Sequence, residues 1–68
     1  MNNIKKIRKM KKISIYKIAE DTKLTPSYIS NLENGYKTNP TKEVMENIAG
    51  SLGQTVPEVF YPKDEKEA

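Results

Sequence analysis

The stretch from Ser14 to Gly35, SIYKIAEDTKLTPSYISNLENG, constrains this chain most, because two short helical patterns meet there across a gap that holds only a tight turn. Ile15, Ile18, Ala19 and Thr22 recur at i, i+3, i+4 and i+7, so they share one face of a helix over about residues 15–22. Ser14 precedes them as an N-cap, its hydroxyl placed to accept from an orphan backbone N–H. The second helix starts at Pro26 with Thr25 as its N-cap. Proline suits the first helical position, since the N–H it lacks would be unpaired there anyway. The pattern runs to about Asn34, and Gly35 is a natural stop in the left-handed conformation.

At about 100° per residue, this second helix divides into two unlike faces. Tyr28, Ile29 and Leu32 lie on one side, and Pro26, Ser27, Ser30, Asn31 and Asn34 on the other. The second face carries no charge, whereas a merely solvated helix surface is generally rich in Lys and Glu. Short polar side chains near a helix N-terminus can reach base edges in a DNA major groove, and the N-terminus itself can face a phosphate. Helix, tight turn and polar second helix make a helix-turn-helix arrangement. The plainer reading is a small helical bundle whose exposed residues happen to be polar.

With 68 residues there is room for one domain and a thin core. The absence of Cys and His excludes disulfides and thiolate or imidazole metal sites, so no cofactor is expected. The basic N-terminus is followed by no apolar h-region, and no apolar run approaches a membrane span, which fits a cytoplasmic location. Residues 1–42 carry ten Lys or Arg against three Asp or Glu, a net +7; residues 43–68 carry two against six, a net −4, and together they give the chain's +3. The positive field is concentrated on the half that holds the helix pair, where it attracts a polyanion. An enzyme is not expected, since metal-free carboxylate chemistry needs paired acids in a cleft.

Asn2 or Asn3 can cap a first helix running to about Met10, with Ile4 and Ile7 inward and Lys5, Lys6, Lys9 and Lys12 outward. Such lysines are either a solvated face or a diffuse attraction for phosphate; a membrane surface fits poorly, because the apolar stripe is narrow and lacks Trp and Phe. Arg8 lies beside that stripe, where a guanidinium needs a partner. Ile13 plugs the joint to the next helix. Residues 36–41, YKTNPT, form a loop in which Tyr36, Lys37, Thr38 and Asn39 carry donors able to hold a sugar-phosphate backbone. Thr41 caps a fourth helix over about 42–52, with Val44, Met45, Ile48, Ala49 and Leu52 inward and Gly53 as its stop. Thr55-Val56-Pro57-Glu58 has capping-box spacing and opens a short fifth helix, stopped by Pro62. The spacing thus predicts an all-α, compact five-helix bundle over residues 1–61, followed by a charged, disordered tail over 62–68.

The chain resembles the phage-repressor and Cro type of helix-turn-helix DNA-binding domain, the XRE family, with a lambda-repressor-like fold. The matching residues are Ile7-Arg8, Ile13-Ser14, Ile18-Ala19, Leu24-Thr25, Ile29-Ser30, Leu32-Glu33-Asn34-Gly35, Pro40, and Leu52-Gly53 with Val56. Within the family, the run TNP with Ser-Tyr-Ile-Ser before it looks like repressors of biofilm and developmental genes in Gram-positive bacteria. The resemblance implies base-reading roles for Pro26, Ser27, Ser30 and Asn31. It implies phosphate contacts for Thr25, Tyr28 and Asn34 and for the loop residues Tyr36, Lys37, Thr38 and Asn39. It also implies a largely buried salt bridge between Arg8 and Glu33. Three residues depart from the family pattern. Ile15 replaces a phosphate-gripping Gln, Lys23 replaces the glycine of the turn, and Thr22 replaces an apolar residue. Since Pro26 makes no bidentate base contact, readout falls mainly on Ser27, Ser30 and Asn31, and Asn is the better discriminator.

The expected function is sequence-specific binding of double-stranded DNA by a transcriptional regulator, a repressor in the first instance, of bacterial or phage origin. A single recognition helix buries little surface, so a homodimer on a near-palindromic operator is expected, with half-sites about 34 Å apart. Val56, Phe60 and Tyr61 form the expected dimer surface. The alternative is a protein-interaction module, such as an antitoxin or an adaptor that docks another regulator; a regulatory protein partner is compatible with both readings.

Overall fold

The computed structural model describes residues 2–61, and the expected disordered tail and the stop at Pro62 lie outside them. Five helices follow one another: α1 (Ile4–Met10), α2 (Ile15–Thr22), α3 (Pro26–Glu33), α4 (Lys42–Leu52) and α5 (Val56–Phe60). The fold is all-α, with no strand among the described residues.

Four helix starts are written in the adjacent sequence. Ser14, Thr25, Thr41 and Thr55 each hold an extended backbone, and their hydroxyls accept from the N–H groups of Lys17, Tyr28, Val44 and Glu58. At α5 the box closes, since Glu58 Oε1 also accepts from the Thr55 N–H at 2.9 Å. Such a cap contributes about 1 kcal/mol. The first helix starts differently. Asn3 occupies the cap position without a side-chain cap bond. Asn2 Oδ1 accepts from the Ile4 N–H at 3.2 Å while its Nδ2 donates to the Leu32 carbonyl at 2.8 Å. Asn3 donates from its backbone N–H to the Val59 carbonyl at 2.7 Å and from Nδ2 to the Glu58 carbonyl at 3.2 Å. The two asparagines therefore tie the chain's beginning to α3 and α5.

Four helix ends share one device. A residue with positive φ follows the helix, and the next N–H reaches back to a carbonyl in the last turn, satisfying an orphan acceptor. The left-handed residues are Lys12 (φ 58°), Lys23 (φ 63°), Gly35 (φ 82°) and Gly53 (φ 70°). The closing bonds are Ile13 N–H to Arg8 O, Leu24 to Ala19, Tyr36 to Asn31 and Gln54 to Ala49, at 2.9–3.2 Å. Glycine adopts this conformation without strain, whereas lysine loses roughly 1 kcal/mol. Ile13 and Leu24, which follow the two lysines, pack against the core. Their burial holds Lys12 and Lys23 where glycine would be easier.

The core consists of Ile4, Ile18, Ala19, Ile29, Leu32, Ile48, Ala49, Leu52 and Val59. Helix α2 packs on α3 and α4, and α5 closes the bundle against α4 and α1. Ile7, Val44 and Met45, expected inward, are half-buried at the margin. Thr22 is buried and donates from Oγ1 to the Ile18 carbonyl at 2.7 Å. This back-bond explains how a hydroxyl occupies a position that is usually apolar.

Candidate nucleic-acid interface

Helix α3 is anchored from below. Ile29 and Leu32 are fully buried, and Glu33 accepts from Arg8 through Nε at 2.7 Å and Nη2 at 3.3 Å. The two side chains are 14% and 3% exposed for Arg8 and Glu33 respectively. Arg8 also donates from Nη1 to the Ile13 carbonyl at 3.3 Å. One guanidinium thus joins α1, the α1–α2 joint and α3. Forked pairing of this kind fixes direction as well as distance. The ion pair implied by the resemblance is formed.

The opposite side of α3 faces solvent. Pro26, Ser27 and Asn31 are exposed, and Ser30 is half-buried beside them. Asn34, the C-cap residue, donates from Nδ2 to the Ser30 carbonyl at 2.9 Å and lies 3.4 Å from Ser30 Oγ. Its amide is therefore turned onto the helix, on the same side as Ser30. Thr25 uses its oxygen to cap α3, accepting from the Tyr28 N–H at 3.1 Å, and its hydroxyl hydrogen is still able to donate.

The loop after α3 is pinned beside this face, because the Tyr36 and Lys37 N–H groups both donate to the Asn31 carbonyl, at 2.9 and 3.1 Å. Tyr36, Lys37, Thr38 and Asn39 are all exposed. Lys37 Nζ stands 5.7 Å from the ring centre of half-buried Tyr28, a cation–π contact that holds the ammonium near the helix. Asn39 has φ 57°, a conformation asparagine tolerates better than most residues.

One exposed aromatic escapes the helical spacing argument. Tyr16, 73% exposed, stands on the first turn of α2 and borders an open groove with Ile15, Pro26, Ser27 and Ser30. The sequence does carry a signal for it: Tyr16 falls off the inward stripe formed by Ile15, Ile18, Ala19 and Thr22. Ile15, half-buried, packs against the core instead of offering the polar group common in the family.

Val56 and Phe60 are half-buried against the core and Tyr61 is exposed, its hydroxyl donating to Met45 Sδ at 3.5 Å. Phe60 and Tyr61 border a second groove of about 410 Å³ with Leu32, Pro40 and Met45. Among the described residues there is no group of three or more carboxylates that could hold a metal ion, and no helix long and apolar enough to cross a membrane.

Two carboxylates outside α3 have lowered pKa values. Asp21 accepts from Ser51 Oγ at 2.9 Å and from Lys17 Nζ at 3.2 Å, and these bonds hold its carboxyl below the usual range. The capping bonds from Thr55, backbone first, do the same for Glu58.

A capped helix pair, buried ion pair and uncharged outer face make this a helix-turn-helix domain, and the chain belongs to that family: residues 1–62 match the family described as a helix-turn-helix domain. It is of the XRE type that its sequence resembles. Its relatives include the HTH-type transcriptional regulator SinR of Bacillus licheniformis, 34% identical over 64 residues. SinR of Bacillus subtilis (strain 168) is 33% identical over 64 residues. In both cases 94% of this chain and 58% of the relative are covered. A solved structure described as a SinR protein/SinI protein complex is similar with a TM-score of 0.75 and 33% identity, covering 94% of this chain and 59% of that one. The chain therefore spans just under three-fifths of the length of these relatives.

Proposed function

We propose that this domain binds double-stranded DNA sequence-specifically and regulates transcription, as a repressor in the first instance, with α3 lying in the major groove. The observation that carries this reading is the outer face of α3. It is exposed and uncharged, and it is held rigidly by buried Ile29 and Leu32 and by the Arg8–Glu33 pair. Pro26, Ser27, Ser30 and Asn31 meet base edges. Thr25, Tyr28, Asn34 and the loop Tyr36–Asn39 flank the helix on the side where backbone phosphates run, and Lys37 supplies charge there. The similarity to two proteins named as transcriptional regulators supports the same reading.

The DNA-binding unit is residues 1–61, acting in the bacterial cytoplasm, and it works as a homodimer on a near-palindromic site through the surface of Val56, Phe60 and Tyr61. Two half-sites about 34 Å apart supply the contact area that one short helix lacks. Selection of bound duplexes from a random-sequence pool tests this function. A single enriched motif, with affinity that falls steeply as salt rises, is the expected result; no retention at low salt would remove the proposal. Sedimentation at high protein concentration, with and without the enriched duplex, decides the dimer, since a monomer under both conditions excludes it.

A second reading has one observation behind it. The similar solved structure is described as a complex of two proteins, SinR and SinI. A regulatory protein partner would use a surface other than α3 if it acts alongside DNA, and retention of a partner by Asn31→Ala separates the two surfaces.

A further inference from the structure

A slot opens between the first turns of α2 and α3. Ile15 and Tyr16 border one side and Pro26, Ser27 and Ser30 the other, around about 250 Å³ of open space. None of the five is charged, so no side chain of the slot holds a phosphate by Coulomb attraction. Three of them are apolar or aromatic: half-buried Ile15, the exposed Pro26 ring and Tyr16. The other two are hydroxyls. Ser30 Oγ receives the Asn34 amide at 3.4 Å, in addition to the 2.9 Å bond from that amide to the Ser30 carbonyl. A hydroxyl oxygen that accepts one bond keeps its own hydrogen available, so Ser30 is able to donate into the slot.

In the major groove, thymine alone sets a methyl group beside an acceptor, its C5-methyl next to O4. Cytosine shows no methyl there and donates from N4. The geometry points to thymine: the slot takes the 5-methyl group of one thymine of duplex DNA against Ile15, Tyr16 and Pro26, while Ser30 donates to its O4. This rests on the DNA-binding reading and sharpens it, because it names the base and adds Tyr16 and Ile15 to the residues that read it. Asn34 acts here as a positioning residue, its amide engaging the Ser30 oxygen.

The test uses the full chain and a duplex enriched from a random-sequence pool. Each thymine is replaced singly by deoxyuridine, which deletes only the methyl group. At one position the dissociation constant should rise about fourfold, the effect of losing one buried methyl, with the other positions unchanged. Tyr16→Ala should bind the thymine and deoxyuridine duplexes alike, and Ser30→Ala should lose the preference for thymine over cytosine at that position. If Tyr16→Ala proves unable to fold, the wild-type deoxyuridine series decides by itself. An enriched duplex whose thymines are all indifferent to methyl removal overturns the slot and leaves DNA binding standing. So does a folded Tyr16→Ala that keeps full methyl sensitivity. A pool that yields no enriched duplex overturns both together.

Discussion

The two sides of α3 use one eight-residue rod for opposite purposes. Inward, Ile29 and Leu32 exclude water and Glu33 accepts a forked pair of bonds from Arg8. Outward, Pro26, Ser27 and Asn31 keep their solvent exposure. The inner side holds the helix in place, and the outer side has almost no packing to lose. Stability and recognition should therefore separate by substitution, although the residues involved alternate along a single helix.

The largest effect belongs to the inner side. Glu33→Ala strands a guanidinium that is only 14% exposed, and it should destabilise the fold by about 3–5 kcal/mol in urea unfolding. A loss below about 1 kcal/mol, the range of exposed pairs, would break the contrast. On the outer side, Asn31→Ala should weaken specific DNA binding by about 1–3 kcal/mol and relax preference at one base pair, with the unfolding midpoint unchanged. A drop in stability as large as the drop in affinity would mean that the two sides are not separable.

Smaller changes refine the picture at the edges of the helix pair. Lys23→Gly removes a side chain from φ 63° and should raise stability by up to about 1 kcal/mol, read as a higher melting temperature with unaltered affinity. Lys37→Ala should weaken binding to all sequences alike and reduce the slope of log affinity against log salt by about 1. The smallest effect is in acid. The folded pKa values of Asp21 and Glu58 are depressed, so the stability these groups contribute is complete above the ordinary carboxylate range and is lost as pH falls through their lowered values. Ser51→Ala removes the main cause at Asp21, and its melting temperature should fall less steeply than the wild type's over that acid window.

The helix starts were legible in the chain because each depends on groups three residues apart. Ser14, Thr25, Thr41 and Thr55 cap the helices that directly follow them, and Gly35 and Gly53 end two of them. The division of α3 into two faces was legible for the same reason. The Arg8–Glu33 pair was legible only through family resemblance, because 25 residues separate the partners. Asn2 does accept from the Ile4 N–H at the start of α1, as a cap would, but the ties of both asparagines to distant carbonyls were not legible. Asn2 and Asn3 spend their amide donors on carbonyls of Leu32 and Glu58, which lie far away along the sequence.

The order of residues alone determined where helices begin, where glycine lets them stop, and which side of each rod seeks water, since these follow from hydrogen bonds and periodicity within a turn or two. Only the folded arrangement decided that Lys12 and Lys23 take left-handed shapes and that Tyr16 comes beside Pro26. The left-handed lysines depend on apolar burial of Ile13 and Leu24, and the meeting of Tyr16 with Pro26 depends on how α2 packs against α3. Burial and packing are set by neighbours distant along the chain, and no local pattern specifies them.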